Sequence, residues 1–126
     1  MPETKFRAWD VIQKRMLFVG LPLTLVISNN DDGVDWQLFT LVGGKSTPEC
    51  SSSEGSVLMQ YTGLKDKNGK EIYEGDIVRT KWSTYTVAFS SKTFGFRMYK
   101  GENHNEPMWR ECKIIGNIYE NPKLLE

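Results

Sequence analysis

The sequence predicts a mainly β fold built as a small barrel with little helix. Three observations predict it. Apolar residues recur with a period of two, and no apolar stripe holds helical spacing for more than about two turns. Turn-forming residues interrupt the chain about every six to twelve residues, the spacing of short strands. Strands this numerous would leave many unpaired edges unless the sheet closed or curled on itself.

Each element follows from its residues. Residues 5–10 (KFRAWD) alternate and predict an N-terminal strand. Residues 15–21 (RMLFVGL) and 23–28 (LTLVIS) are β-rich runs separated by Pro22, which cannot donate to a ladder. Residues 28–33 (SNNDDG) hold the residue types that tolerate turn dihedrals. Residues 36–42 (WQLFTLV) fit a strand or a short helix, because the run does not separate the two periods. Residues 43–56 (GGKSTPECSSSEGS) read as a mobile loop or internal break, by their Gly, Ser and Pro content.

After this break the alternation sharpens. Residues 57–62 (VLMQYT) predict a strand, and 66–70 (DKNGK) a hairpin turn in which Asn68 and Gly69 supply positive φ. Ile72 and Tyr73 lead into the turn Glu74-Gly75-Asp76. Residues 77–82 (IVRTKW), 85–89 (YTVAF) and 94–99 (FGFRMY) then read as an antiparallel meander. In the first of these, Val78, Thr80 and Trp82 share one face, and Arg79 and Lys81 the other. Residues 112–119 (CKIIGNIY) supply a last strand, which Asn121-Pro122 stops. The expected organisation is one domain over 1–126. Its barrel is built from 57–126, and residues 1–56 add N-terminal strands.

Composition narrows the function classes. The chain has 126 residues, 25% of them charged, with 16 basic and 16 acidic side chains and no net charge. Bulk electrostatic attraction to nucleic acid or to an anionic membrane is therefore not expected. The longest apolar stretch, 16–27, contains Gly20, Pro22 and Thr24 and is too short to cross a bilayer. The two cysteines, Cys50 and Cys112, lie far apart without metal-ligand spacing, and they read as reduced thiols of a cytoplasmic protein. The single histidine, His104, sits in a polar loop-like segment and cannot build a His-rich metal site. Gly44-Lys45-Ser46 lacks the earlier glycine a phosphate loop needs, because Phe39 stands there.

Three blocks stand out together: 5–10 (KFRAWD), 58–78 (LMQYTGLKDKNGKEIYEGDIV) and 115–122 (IGNIYENP). In their order and placement they resemble the YopX family of bacteriophage and prophage proteins. The resemblance spans the whole chain. It implies a Src-homology-3-like barrel and a host bacterial cytoplasm as the setting. It implies no activity and supplies no catalytic residues. Residues 11–57 and 81–111 carry no family signature. The blocks also have a structural reading. Gly63 permits a bend, Asn68 and Gly69 set a hairpin, Gly75 allows a turn with Asp76 accepting N–H bonds, and Gly116 marks a bulge or barrel corner.

The expected function is a non-catalytic macromolecule-binding module without a cofactor or metal. Up to Gln60 the chain has five basic and seven acidic residues, and from Tyr61 onward eleven and nine. The basic residues of the second half interleave with aromatics. Arg79, Lys81, Tyr85, Arg97, Tyr99 and Lys100 form a candidate patch for single-stranded nucleic acid, where bases stack on aromatics and cations follow phosphates. An ordinary solvated sheet face accounts for the same residues. The alternative is an oligomeric scaffold acting on host or phage proteins, because the apolar run 16–27 exceeds what one half-exposed strand requires. Glu71, Glu74 and Asp76 crowd one turn, but beside a glycine they read as caps rather than an acid–base pair.

Overall fold

A computed structural model describes residues 5–31, 33–90, 95–100, 103–105 and 110–125, with the backbone alone for Asn30 and 103–105. The fold is mainly β with a strongly curled half-barrel sheet, and no helix among the described residues reaches seven residues. The chain forms two compact units, Lys5–Met59 and Gln60–Glu126.

In the first unit, β1 (Phe6–Asp10) and β2 (Arg15–Phe18) form a hairpin with Asp10 opposite Arg15. The Asp10 carboxylate ties this hairpin together. One oxygen accepts the N–H groups of Ile12 and Gln13, and the other accepts Arg15 Nε at 2.9 Å. Arg15 also donates to Glu49 at 2.7 Å, and Glu49 accepts the Thr40 hydroxyl. Burial alone would raise the Asp10 pKa. The bond from Arg15 and the two N–H bonds outweigh it and hold the group below the usual carboxylate range.

β3 (Leu23–Asn30), β4 (Gly33–Val42) and β5 (Lys45–Ser51) make a three-stranded antiparallel sheet in that order. The run 36–42 is thus strand throughout: Trp36 and Leu38 are buried while Asp35 and Gln37 are exposed, a period of two. Residues 43–56 are not the loop their composition suggests. Gly43 and Gly44, both with positive φ, form a two-residue hairpin turn, and β5 pairs with β4 from Val42↔Lys45 to Gln37↔Ser51. Ser52–Glu54 follow as one 3-10 turn. The reason is positional. Residues 45–48 lie on an exposed edge strand, where polar side chains and Pro48 are tolerated, while Cys50 points into the core. That core comprises Ala8, Trp36, Leu38 and Cys50, with Leu17, Val19, Leu23, Leu25 and Leu58 packed against it.

β6 (Val57–Lys65) leads into the second unit, where it pairs with β7 (Glu71–Tyr73). Gly63, at φ 86°, lies at the irregularity between Tyr61 and Lys65. The connecting turn is closed by Gly69 N–H to Asp66 O and Asp66 N–H to Lys70 O. Gly69 takes positive φ there, but Asn68 does not, so the expected pair of positive φ values reduces to one. This matches a type I turn followed by a left-handed glycine.

A five-stranded antiparallel sheet completes the unit. It comprises β8 (Asp76–Arg79), β9 (Thr84–Ser90), β10 (Gly95–Lys100), β11 (Asn103–Asn105) and β12 (Lys113–Asn117), in the order β11-β10-β9-β8-β12. The register sorts its side chains. Ile114, Val78 and Tyr85 form one buried row across β12, β8 and β9, and Met98 lies opposite Val87. Ile72 and Cys112 complete this core. The expected strand 77–82 ends at Arg79, and Trp82 is 61% exposed rather than inward, because the chain turns at Thr80. The turn at 91–93 and the residues Lys92 and Phe94 lie outside the described residues.

Candidate macromolecule-binding face

The face of the five-stranded sheet opposite its core carries the chain's best candidate site. Adjacent residues on a strand point to opposite faces. One step from the buried row Ile114–Val78–Tyr85 therefore lies an outer row, Lys113–Arg79–Thr84, in direct cross-strand register. Lys113 and Arg79 are both exposed and stand opposite each other. Like charges in that position destabilise a sheet.

The turn after β8 is held by one side chain. The Thr80 hydroxyl oxygen accepts the N–H groups of Trp82 and Ser83, and Thr80 N–H bonds to Ser83 O. This fixes the loop that presents Lys81 and Trp82. The Lys81 ammonium sits 4.4 Å from the centroid of the Trp82 ring, a cation–π contact.

Lys67, Arg79, Lys81 and Lys113 line one groove of about 450 Å³, together with Thr80, Glu111 and Ile115. None of these four cations makes an ion pair among the described residues. A second depression, of about 760 Å³, lies beside it on the same face. It is lined by Thr84, Thr86 and Ala88 of β9 together with Tyr99, Lys100, Leu124 and Leu125. Arg79 Nε lies 3.5 Å from the Thr84 hydroxyl, which joins the two.

The expected patch is therefore regrouped. Arg79 and Lys81 share the cationic groove. Tyr99 and Lys100 line the second depression. Arg97 turns back on its own strand and donates to Phe96 O at 2.9 Å. Tyr85 does not belong to the patch: it is only 6% exposed and sits in the core, because its register partner is Val78 rather than Arg79. Lys67 and Lys113 were not expected. The alternation of Lys113 with Ile114 marks an outward side chain, but only the β8–β12 pairing places it beside Arg79.

The motif residues build this face. The Gly75 carbonyl accepts Ile118 N–H, and Gly75 N–H bonds to Val87 O. Asp76 accepts Tyr73 N–H at 2.8 Å, and Glu74 accepts Gln60 N–H at 2.8 Å. Gly116 lies at a bulge, as expected, and a Cβ on it would stand 2.5 Å from Asn121 Oδ1 and 2.9 Å from Leu124 Cδ1. Only glycine lets the C-terminal 3-10 turn (Pro122–Leu125) come this close. Asn117 caps that approach by accepting the N–H groups of Tyr119 and Glu120.

Cys50 and Cys112 are buried, and burial pushes both thiols up to about 11. No cluster of three metal-ligating side chains occurs among the described residues. The His104 side chain lies outside them. No described helix is long and apolar enough to cross a membrane.

The model of the YopX protein family matches residues 5–126. The chain belongs to the YopX family. Two solved structures are similar over their full length and the full length of this chain. One is protein EF1440 from Enterococcus faecalis, at 29% identity and a TM-score of 0.65. The other is YopX from Bacillus subtilis, at 25% identity and a TM-score of 0.64. No curated protein matches the chain. Of the YopX blocks, 5–10 is strand β1 of the first unit, and 58–78 and 115–122 supply β6–β8, the end of β12 and the turns that join them.

Proposed function

We propose that this YopX-family protein is a non-catalytic module that binds single-stranded nucleic acid through the cationic groove. The setting is a phage or prophage accessory role in the host bacterial cytoplasm. The observation that carries the reading is Lys113 directly opposite Arg79, two exposed cations in register with no carboxylate among the described residues paired to either. Such an arrangement costs stability in the isolated protein and is relieved by a bound polyanion. Lys67 and Lys81 extend the charge, and Trp82 offers an exposed ring on which a base can stack. The neutral total charge is compatible with this, because the field of a groove depends on local charges within a Debye length of about 8 Å.

Fluorescence anisotropy with a labelled single-stranded oligonucleotide over a salt series tests the reading. The logarithm of the association constant should fall linearly with the logarithm of salt concentration. Arg79→Ala and Lys113→Ala should each reduce that slope by about one. Trp82→Ala should weaken binding by about 1–3 kcal/mol without changing the slope. No binding at low salt overturns the proposal.

A further inference from the structure

The outer face of the five-stranded sheet carries a second row of residues beside Lys113–Arg79–Thr84. Gly116, Ile77, Thr86 and Tyr99 stand in cross-strand register on β12, β8, β9 and β10. The two halves of this row differ. Leu124 lies over Gly116, close enough to exclude a Cβ there, and Ile77 is fully buried. Thr86 and Tyr99 instead line the open depression of about 760 Å³. A strand of nucleic acid leaving the cationic groove along this face therefore meets a closed half on β12 and β8 and an open half on β9 and β10. Thr84, which lines the depression and lies 3.5 Å from Arg79 Nε, marks the crossing.

The open half has the chemistry of a base site. Tyr99 offers an aromatic ring, and Leu124 and Leu125 offer apolar surface. The hydroxyls of Thr84 and Thr86 can donate to and accept from a base edge or a sugar. Lys100, exposed at the end of β10, supplies a cation, and no acidic side chain among the described residues lines the depression. Its volume falls in the range of about 300–1,000 Å³ that suits small ligands, a nucleotide among them. A peptide has no strand edge to join here, because β9 is bonded to β8 on one side and to β10 on the other.

We propose that this depression takes an unstacked base of the same single strand, held against the Tyr99 ring with a neighbouring phosphate on Lys100. The inference rests on the nucleic-acid reading of the cationic groove and extends it. The strand then crosses the sheet from β12 to β10, over three strand spacings of about 4.8 Å each. Lys113, Arg79 and Lys100 take phosphates, and Trp82 and Tyr99 take bases.

Fluorescence anisotropy on the full chain tests it, with a labelled oligothymidylate of about eight nucleotides, inside the site sizes of single-strand-binding barrels. Tyr99→Ala should weaken binding about fivefold to a hundredfold, the loss of one stacked base. Tyr99→Phe keeps the ring and should bind like the wild type. Lys100→Ala should reduce the salt slope by about one. Circular dichroism checks that each variant is folded, and the exposed Lys100 carries the test if Tyr99→Ala is not. A loss in Tyr99→Phe as large as that in Tyr99→Ala overturns the stacking role. Variants of Tyr99 and Lys100 that bind as the wild type does, while Arg79→Ala and Lys113→Ala bind less, overturn this inference and leave the cationic groove standing. No binding by the wild type at low salt overturns both.

Discussion

The Asp66 carboxylate accepts the backbone N–H of Ile114, 48 residues away, at 3.0 Å. Its other oxygen accepts the N–H groups of Asn68 and Lys70, both at 2.9 Å. A hairpin turn and the strand carrying Lys113 are thus held by one buried side chain. Lys67 N–H adds a bond to Cys112 O at 3.0 Å. The contact places Lys67 and Lys113 on the same groove.

Asp66→Asn should lower stability at neutral pH by about 2–4 kcal/mol. The amide NH₂ would face a backbone donor, and charge-assisted bonds are lost. Denaturant midpoints measure it. Asp66 also gives the fold an acid limit. Burial would raise its pKa, but the N–H bonds from Ile114, Lys70 and Asn68 and the Lys70 charge together lower it. A depressed folded pKa means stability that is complete above the unfolded value of about 3.9 and is lost as pH falls through the folded value. The Asn variant should show a flatter acid arm of stability against pH. An equally steep arm would assign the acid limit to other carboxylates.

Gly116→Ala should destabilise by about 1–3 kcal/mol, the cost of overpacking at a site where the neighbours must shift. The effect should concentrate in the C-terminal turn. Amide exchange at Asn121 and Leu124 should accelerate more than exchange in β9. Uniform acceleration would show that the turn is not a separate docking unit.

Cys50 and Cys112 should resist alkylation in the native state, because both are buried with pKa values near 11. Raising the pH to about 9 should add little reactivity, since the thiolate is the nucleophile. Mass spectrometry after native and denatured labelling reads this directly. Labelling of either thiol without unfolding would contradict the burial.

Within the proposed binding face, contributions should follow the grooves rather than the sequence order of the basic residues. Lys113→Ala should weaken oligonucleotide binding as much as Arg79→Ala, while Arg97→Ala should have little effect because its guanidinium is held on Phe96 O. Tyr85→Ala should instead destabilise the fold by about 3–5 kcal/mol, as aromatic core truncations do. Anisotropy and thermal melts on the same variants separate the two outcomes.

Period-two alternation sufficed to predict β structure, because side chains on a strand must face opposite sides whatever their partners. The motif glycines and Asp76 could be read as turn residues for the same local reason. Residues 43–56 could not be read correctly, since an edge strand tolerates the same Ser, Thr and Pro that mark a loop. Trp82 was misplaced because alternation says nothing about where a strand stops, and here Thr80 stops it.

The sequence by itself determined the family, the mainly β class and the glycine turns of the 58–78 block. These depend on local chemistry and on blocks of contiguous residues. The tertiary structure alone decided which strands are neighbours. That pairing put Lys113 beside Arg79 and Tyr85 beside Val78, and it left β3 at an open edge. Register couples residues far apart in the chain through backbone hydrogen bonds, which carry no side-chain signature in the sequence.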